Sequence, residues 1–305
     1  MSTTPALNET TVSGEPAPTF RQGIRRVLRS ISRSSTATIA CIILLTIGLA
    51  AILGPYLIPH PINTINLGAR FMPPAWSEGG SMTYVLGTDQ QGRDAFSRLV
   101  IGARMTLTVA LCAVVVGGSI GFLMGLIAGY VGGRTDAVIM RLVDLQLAFP
   151  SLFIGLVAMG LLGAGVVQLI MVIAITQWAD YARIVRGEVL KVRATPYVEG
   201  ARALGLSHTR ILRLYITPNV MSSLVIVATF SLAVAIYYES ALSFFGLGVP
   251  PSIPTWGNML SQARDLMLRA PWLAIFPGLA ITVTVLSFNL LGDWLRDYLD
   301  VKLRN

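Results

Sequence analysis

The sequence predicts an all-α, polytopic membrane protein of six transmembrane helices, and three observations carry that prediction. Of its 305 residues, 54% are hydrophobic and only 12% are charged. With a mean hydropathy of +0.68, this balance lies outside the range of soluble domains. The apolar residues gather into segments long enough to cross a bilayer. The basic residues stand at the ends of those segments: with six spans, seventeen of the 23 Lys and Arg residues fall on one side and six on the other. The positive-inside rule makes the richer side cytoplasmic and places both termini there. A net charge of +8 would also suit a nucleic-acid binder, but clustering at segment ends excludes that partner in favour of the lipid bilayer.

Taken in order, residues 1–19 are rich in Ser, Thr, Pro and Glu and read as a disordered tail. Arg21, Arg25, Arg26, Arg29 and Arg33 follow as a topology signal, giving a cytoplasmic N-terminal tail over 1–35. Segment 36–58 is too long for a signal-peptide core and lacks a small-residue cleavage site, so it is a retained first span. Residues 59–98 form a polar, Pro- and Gly-rich outer loop, in which Asp89, Arg93 and Asp94 can pair and order the chain. Exposed pairs of this kind contribute about 0–1 kcal/mol and fix geometry rather than stability. The second span, 105–130, carries Gly117, Gly121, Gly125 and Gly129 on one helix face. Small residues at that spacing let helix backbones approach closely in lipid, which reads as a packing seam against another span.

The third span, 136–162, holds Arg141, Asp144 and Pro150. Arg141 and Asp144 are i, i+3 neighbours, and Pro150 frees the carbonyl of Gln146 and kinks the helix. A kinked helix with charges at depth either lines a water-filled path or holds the bundle together through an internal ion pair. The fourth span, 166–181, is short, and Asp180 and Arg183 are a second i, i+3 pair at its end. The fifth, 219–245, carries Glu239 at its outer end. That carboxylate either contacts a substrate amine or satisfies a neighbouring backbone group or Arg, the latter being preferred. Residues 250–271 form a second outer loop, 272–291 the last span, and 293–305 a cytoplasmic tail.

Between the fourth and fifth spans lies the most basic inner loop, 184–218. Thr195-Pro196 is a helix start, since Thr can cap and Pro at the first helical position gives up no hydrogen bond. Gly205 is a helix stop, because Gly tolerates the left-handed conformation. A short helix therefore spans 196–204, with Glu199 near its positive end and Tyr197, Ala201 and Leu204 on one face. Gly200 costs it about 1 kcal/mol relative to Ala, so the helix needs something to dock against.

Several of these strings resemble one family. Glu199-Gly200-Ala201, then Gly205, then 211–218, is similar to the EAA loop of permeases in bacterial ABC importers, with Gly200 where that family usually has Ala and Tyr215 where it has His. Leu86 to Asp94, reading LGTDQQGRD, resembles a signature of the dipeptide, oligopeptide and nickel permeases. Trp178 to Gly187, Glu239 to Gly248, Pro254-Thr255-Trp256-Gly257, and Asn289 to Asp293 with Arg296-Asp297 look like further family strings. The family's usual D-P-R ending departs here to Asp300-Val301-Lys302.

The resemblance implies a type I ABC importer permease, with a transmembrane core of five helices over 99–292 after the first span and its loop. It implies a heterodimer with a second, homologous permease, two ABC ATPase subunits on the inner face and a substrate-binding protein on the outer face. Tyr197, Glu199, Gly200, Ala201, Leu204 and Gly205 would then form the ATPase-coupling element, and Arg141, Asp144, Pro150 and Glu239 the candidates for lining the pathway. Peptides are the commonest cargo so implied; relatives carry nickel chelates, glutathione, opines or oligosaccharides.

The sequence contains no G-x-x-x-x-G-K-[ST] phosphate loop, so ATP hydrolysis by that route belongs to another subunit. No nucleophile–base pair, cofactor motif or metal cluster is visible: His60 and His208 are single and separated, and Cys41 and Cys112 lie in apolar segments. A proton-coupled carrier using Asp144, Asp180 and Glu239 as a relay is the second class of function, and a membrane scaffold without transport is the third. Dependence of uptake on ATP, persisting with the proton gradient collapsed, separates the first two. Co-purification with ATPase subunits at fixed stoichiometry argues against the third.

Overall fold

The computed structural model describes residues 29–304, with side-chain surroundings through residue 299. The expected tail 1–19 and Arg21, Arg25 and Arg26 lie outside the described residues. Helix α1 (Ser35–Leu57) is followed by a long loop. Then come α2 (Ala95–Val131), α3 (Gly133–Leu147), α4 (Ser151–Leu162) and α5 (Val166–Arg193). The short helices α6 (Pro196–Ala203) and α7 (His208–Ile211) lead into α8 (Thr217–Phe244), and α9 (Trp256–Ala263) and α10 (Trp272–Arg304) close the chain. No strand occurs among the described residues.

Four stretches have the length and apolarity to cross a membrane: α1, α2, His208–Phe244 and Trp272–Leu299. The pair α3 and α4, bent by 85°, supplies a fifth. The expected fourth span is part of α5, which carries Gln168, Gln177, Asp180 and Arg183 and falls short of that apolarity. It does not stop at Tyr181 but runs on to Arg193, so much of the expected inner loop is regular helix. The chain's three-dimensional core explains why. Val185 and Val189 on the extension are buried against Val198, Ala201, Ile211 and Ile216, and that burial outweighs the charges on the opposite side.

Helix α2 is the mast of the bundle. Its 37 residues reach about 55 Å at 1.5 Å per residue, well beyond the roughly 30 Å of hydrocarbon. It begins at Ala95, inside the expected loop, because Asp94 caps it by accepting from the amides of Phe96 and Ser97. α2 and α5 run parallel and in close contact. Gly117 lies over Ala174, Gly121 over Trp178 and Tyr181, Gly125 over Ala182 and Val185, and Gly129 over Arg186 and Val189. A Cβ on Gly117 would sit 2.7 Å from the Ala174 carbonyl oxygen, and one on Gly125 2.5 Å from that of Ala182. Backbone therefore rests on backbone along four turns.

The third expected span is broken rather than kinked. α3 ends at Leu147, and Pro150 stands in extended conformation before α4 instead of inside a helix. The Gln146 carbonyl that Pro150 was expected to orphan accepts from Phe149 N at 3.3 Å. The Gln146 amide donates to the carbonyls of Ile175 and Thr176, at 2.6 and 3.2 Å, and holds the break against α5.

Helix α8 likewise starts early. His208 to Phe244 is one continuous rod, with a π-helical stretch over Leu212–Ile216 just ahead of Pro218. The widened turn makes room for a ring that would clash with the preceding turn. The carbonyl of Tyr215 accepts from Asn219 Nδ2 at 2.5 Å. Finally, α10 continues through the expected C-terminal tail to Arg304.

Candidate functional site

Two ends of the bundle carry polar architecture. One, here the loop end, gathers the 58–94 loop and α9. The other, the basic end, gathers the C-termini of α2 and α5 with α6 and α7.

At the basic end, the α5 extension is fastened to its neighbours by charge. Arg186 clasps Asp136 at the start of α3 with two bonds, Nε at 2.5 Å and Nη2 at 2.6 Å, the bidentate geometry in which arginine is strongest. Arg193 Nη1 donates to the carbonyls of Tyr130 and Gly129, at 2.8 and 3.3 Å. It thereby satisfies the last turn of α2 with a cation at the negative end of that helix's dipole. These contacts fix where α5 ends and hence where α6 is presented.

Helix α6 closes with a complete Schellman motif. Leu206 N donates to Ala201 O at 3.2 Å, Gly205 N donates to Arg202 O at 3.0 Å, and Gly205 takes φ +78°. Its start differs from the expectation. Thr195 makes no side-chain cap; its hydroxyl donates to Val192 O at 2.6 Å and joins the turn to α5 instead. The buried face consists of Val198 and Ala201, seated on Ile211, Ile216 and Val220. Of the three residues expected to share a face, only Ala201 is buried. Tyr197 is 48% and Leu204 83% exposed, because burial of Val198 turns the helix so that they flank the seat. Glu199 and Gly200 are exposed, with open space around Gly200. Two large apolar side chains and a bare backbone thus face outward from a helix too short to stand alone.

At the loop end, the expected cluster exists but is buried, not exposed. Asp89 accepts from the amides of Gln91 and Arg93 and from Arg93 Nε at 2.6 Å. Arg98, 1% exposed, lies 3.8 Å from the same carboxylate. Arg93 and Arg98 both donate to Gln262 Oε1 on α9, at 3.0 and 3.3 Å. Asp94 is not part of this pairing, being committed to the α2 cap, Ser97 and His60. Arg98 and Gln262 were missed in the sequence. Arg98 reads there as one more charge outside a span, and Gln262 lies 164 residues away from it.

Glu239 is fully buried. Its neighbours are neither Arg nor backbone but hydroxyls: Ser243 at 2.9 Å, Thr106 at 3.2 Å and Ser240 at 3.4 Å. Thr106 Oγ1 also accepts from Trp256 N, the first amide of α9, at 3.2 Å. A chain of bonds therefore joins the carboxylate to the positive end of a helix. Trp256 Nε1 donates to Leu99 O at 3.0 Å, and Gly257 sits so close to Ser240 and Ser243 that a Cβ would lie 2.7 Å from each. Glu239 thus anchors α9 and is closed off from solvent. Replacing Glu239 with Ala leaves these hydroxyls without an acceptor and a void behind them, an expected loss of about 2–3 kcal/mol. Gln retains one acceptor and loses less. Thermal unfolding of the purified protein in detergent checks this, with equal melting temperatures for the two variants counting against the anchor.

The remaining pathway candidates fall elsewhere. Asp144 pairs across helices with Arg183 at 2.7 Å, not with Arg141, and the expected Asp180–Arg183 pair is replaced by the same contact. The bend after α3 brings α3 alongside α5, and the inter-helix partner outcompetes the i+3 neighbour. The Asp144–Arg183 pair, which joins α3 to α5, and Arg141, Asp180 and Pro150 are all exposed. Among the described residues no hydrogen bond links Asp144, Asp180 and Glu239, and no group of three or more metal-ligating side chains occurs.

Comparison with known proteins identifies the family. Residues 121–305 match the family model for a binding-protein-dependent transport system inner membrane component. Residues 24–74 match the N-terminal TM domain of oligopeptide transport permease C. The chain is 37% identical over 293 residues to a di/tripeptide transport system permease protein, DppC, of Pseudomonas aeruginosa, covering 96% of this chain and 97% of that one. It is 38% identical to a glutathione transport system permease protein, GsiD, of Pectobacterium atrosepticum, covering 92% of each. It is also 38% identical to an oligopeptide transport system permease protein, OppC, of Bacillus subtilis, covering 88% of this chain and 86% of that one. Among solved structures, the MetNI methionine ABC transporter in inward-facing conformations shares the fold with a TM-score of 0.55 at 19% identity, over 64% of this chain and 93% of that one. An amino acid ABC transporter crystallised with histidines does so with a TM-score of 0.52 at 19% identity, over 65% of this chain and 92% of that one.

Proposed function

Because this chain belongs to the family of binding-protein-dependent transport system inner membrane components, we propose that it forms half of a peptide-conducting pathway driven by separate ATPase subunits. The observation that carries this reading is α6, a short helix whose seat is fixed by Arg186, Arg193 and Gly205 and whose outer face presents Tyr197 and Leu204 to a partner. An ATPase subunit gripping the exposed Tyr197, Glu199, Gly200 and Leu204 moves the whole seat, in which Ala201 is buried, and with it α5. The parallel seam from Gly117 to Gly129 transmits that movement to α2 without slack, since backbone touches backbone.

The chain itself carries no chemistry in this scheme; hydrolysis belongs to the ATPases. The basic end, with both termini, faces the cytoplasm, as the distribution of Lys and Arg favours. A binding protein delivers cargo to the loop end, which carries the 58–94 loop and α9. The exposed Asp144–Arg183 pair, with Arg141 and Pro150 nearby, supports placing the α3–α5 face toward the second permease and the pathway between them. A charge pair at depth is tolerated against protein or water, not lipid. Di- and tripeptides, oligopeptides and glutathione, itself a modified tripeptide, are the cargoes of the similar permeases, so a short peptide is the substrate class.

The test is a single cysteine at Leu204 in an otherwise cysteine-free chain, carried in cells and inverted vesicles. Labelling by a membrane-impermeant maleimide in inverted vesicles, and its suppression by co-expressed ATPase subunits, is the expected result. Labelling from outside intact cells overturns the orientation, and unprotected labelling overturns the docking.

A further inference from the structure

Beside α6, the basic end holds a groove of about 550 Å³ lined by Tyr130, Val131, Arg193, Arg202, His208 and Leu212. Its walls come from four elements: the last turn of α2, the last turn of α5, and α6 and α7 with the turn that follows. Two guanidinium groups and an imidazole converge there. Arg193 is oriented by its bonds to the end of α2 through Nη1, which leaves Nε and Nη2 as donors. His208 Nδ1 shares a hydrogen bond with Tyr130 Oη at 2.8 Å, which leaves Nε2. Arg202 is exposed on α6. Several forked donors around one volume suit an anion with several oxygens, above all a phosphate.

A second feature points to what carries the phosphate. Val131 in the groove, Ile127 and Leu123 follow one another at four-residue intervals on α2, and all three are exposed. They form an apolar ridge leading from the groove along the membrane-spanning part of the helix. A free anion has no use for such a ridge, whereas acyl chains do.

We infer that this groove binds the headgroup of an anionic glycerophospholipid, with its phosphate between Arg193, Arg202 and His208 and its acyl chains along the Leu123–Ile127–Val131 ridge. The lipid then touches both the fixed seat of α6, through Arg193, and α6 itself, through Arg202. The inference rests on the proposed orientation only for which leaflet supplies the lipid.

The experiment uses the transporter purified through a tag on this chain, with its co-purifying subunits, in nanodiscs of phosphatidylcholine and phosphatidylglycerol at 3:1. Native mass spectrometry reads retained phosphatidylglycerol, and a photoreactive phenylalanine in place of Val131 reads what lies in the groove. Retention of at least one phosphatidylglycerol per chain, falling about tenfold in Arg202→Gln/His208→Gln, and a cross-link to phosphatidylglycerol are the expected results. Equal retention in wild type and variant overturns the site. So does a cross-link that goes to an ATPase subunit or to the second permease, which assigns the groove to a protein partner. A cross-link to lipid with the Leu204 label on the external face keeps the site and discards the orientation.

Discussion

Replacing Gly121 with leucine is expected to drive α2 away from α5 and to remove the protein from the membrane fraction. At this position an added Cβ meets the Trp178 carbonyl oxygen and the Tyr181 Cβ inside contact distance, and the Ala182 amide nitrogen at 3.1 Å. Two of those three atoms are backbone, so no rotamer change relieves the clash. The seam repeats at Gly117, Gly125 and Gly129, so a local opening cannot be confined to one turn. Overpacking of this kind costs about 3 kcal/mol, a large fraction of a typical net stability. Thermal unfolding in detergent, read by size-exclusion chromatography, is the measurement. Gly160→Ala is the control: it has open space around it and is expected to leave the midpoint unchanged or slightly raised, because Ala favours helix. A Gly121→Leu protein that unfolds with the wild type would show that the α2–α5 seam is not where the fold is held.

Gly205→Val is expected to abolish uptake while leaving the membrane-embedded bundle intact. Its φ of +78° is the left-handed conformation, which costs a β-branched residue about 1–2 kcal/mol. The Schellman bonds from Gly205 and Leu206 close a helix of only eight residues, so their loss frays it back to Ala201. The space around Gly205 is open, which means that strain, not collision, is responsible and that folding elsewhere is spared. The expected readout is a fall in peptide uptake of about tenfold or more, with ATP hydrolysis no longer stimulated by the loaded binding protein. Gly205→Asn tolerates the left-handed region and is expected to retain most of the uptake. Wild-type transport by the valine variant would remove α6 from the coupling path.

How much of this was legible beforehand depended on the range of the interaction. Gly205 as a stop and Pro196 as a start are local backbone rules, and α6 ends where they place it. The glycine spacing on α2 announced a close approach, but not its partner, because nothing in four evenly spaced glycines says whether they meet the next helix or the one after. The i, i+3 charge pairs misled for the same reason. Asp144 finds Arg183 rather than Arg141, since the 85° break at Pro150 swings α3 against α5. Likewise Asp89 and Arg93 were visible as a pair, whereas their burial with Arg98 and Gln262 depends on α9 folding back onto α2.

The sequence by itself determined that this is a helical membrane protein of the permease family. Apolar run length, the placement of basic residues and the strings around Asp89, Glu199, Glu239 and Asn289 are all read within one stretch of chain. Only the tertiary structure decided which charges are paired, which face of α6 is bare, and that Glu239 is sealed beneath α9. Hydrophobicity and backbone rules act on neighbours in sequence. A buried hydrogen bond or ion pair is set by which helices happen to lie side by side, and that is a property of the whole bundle.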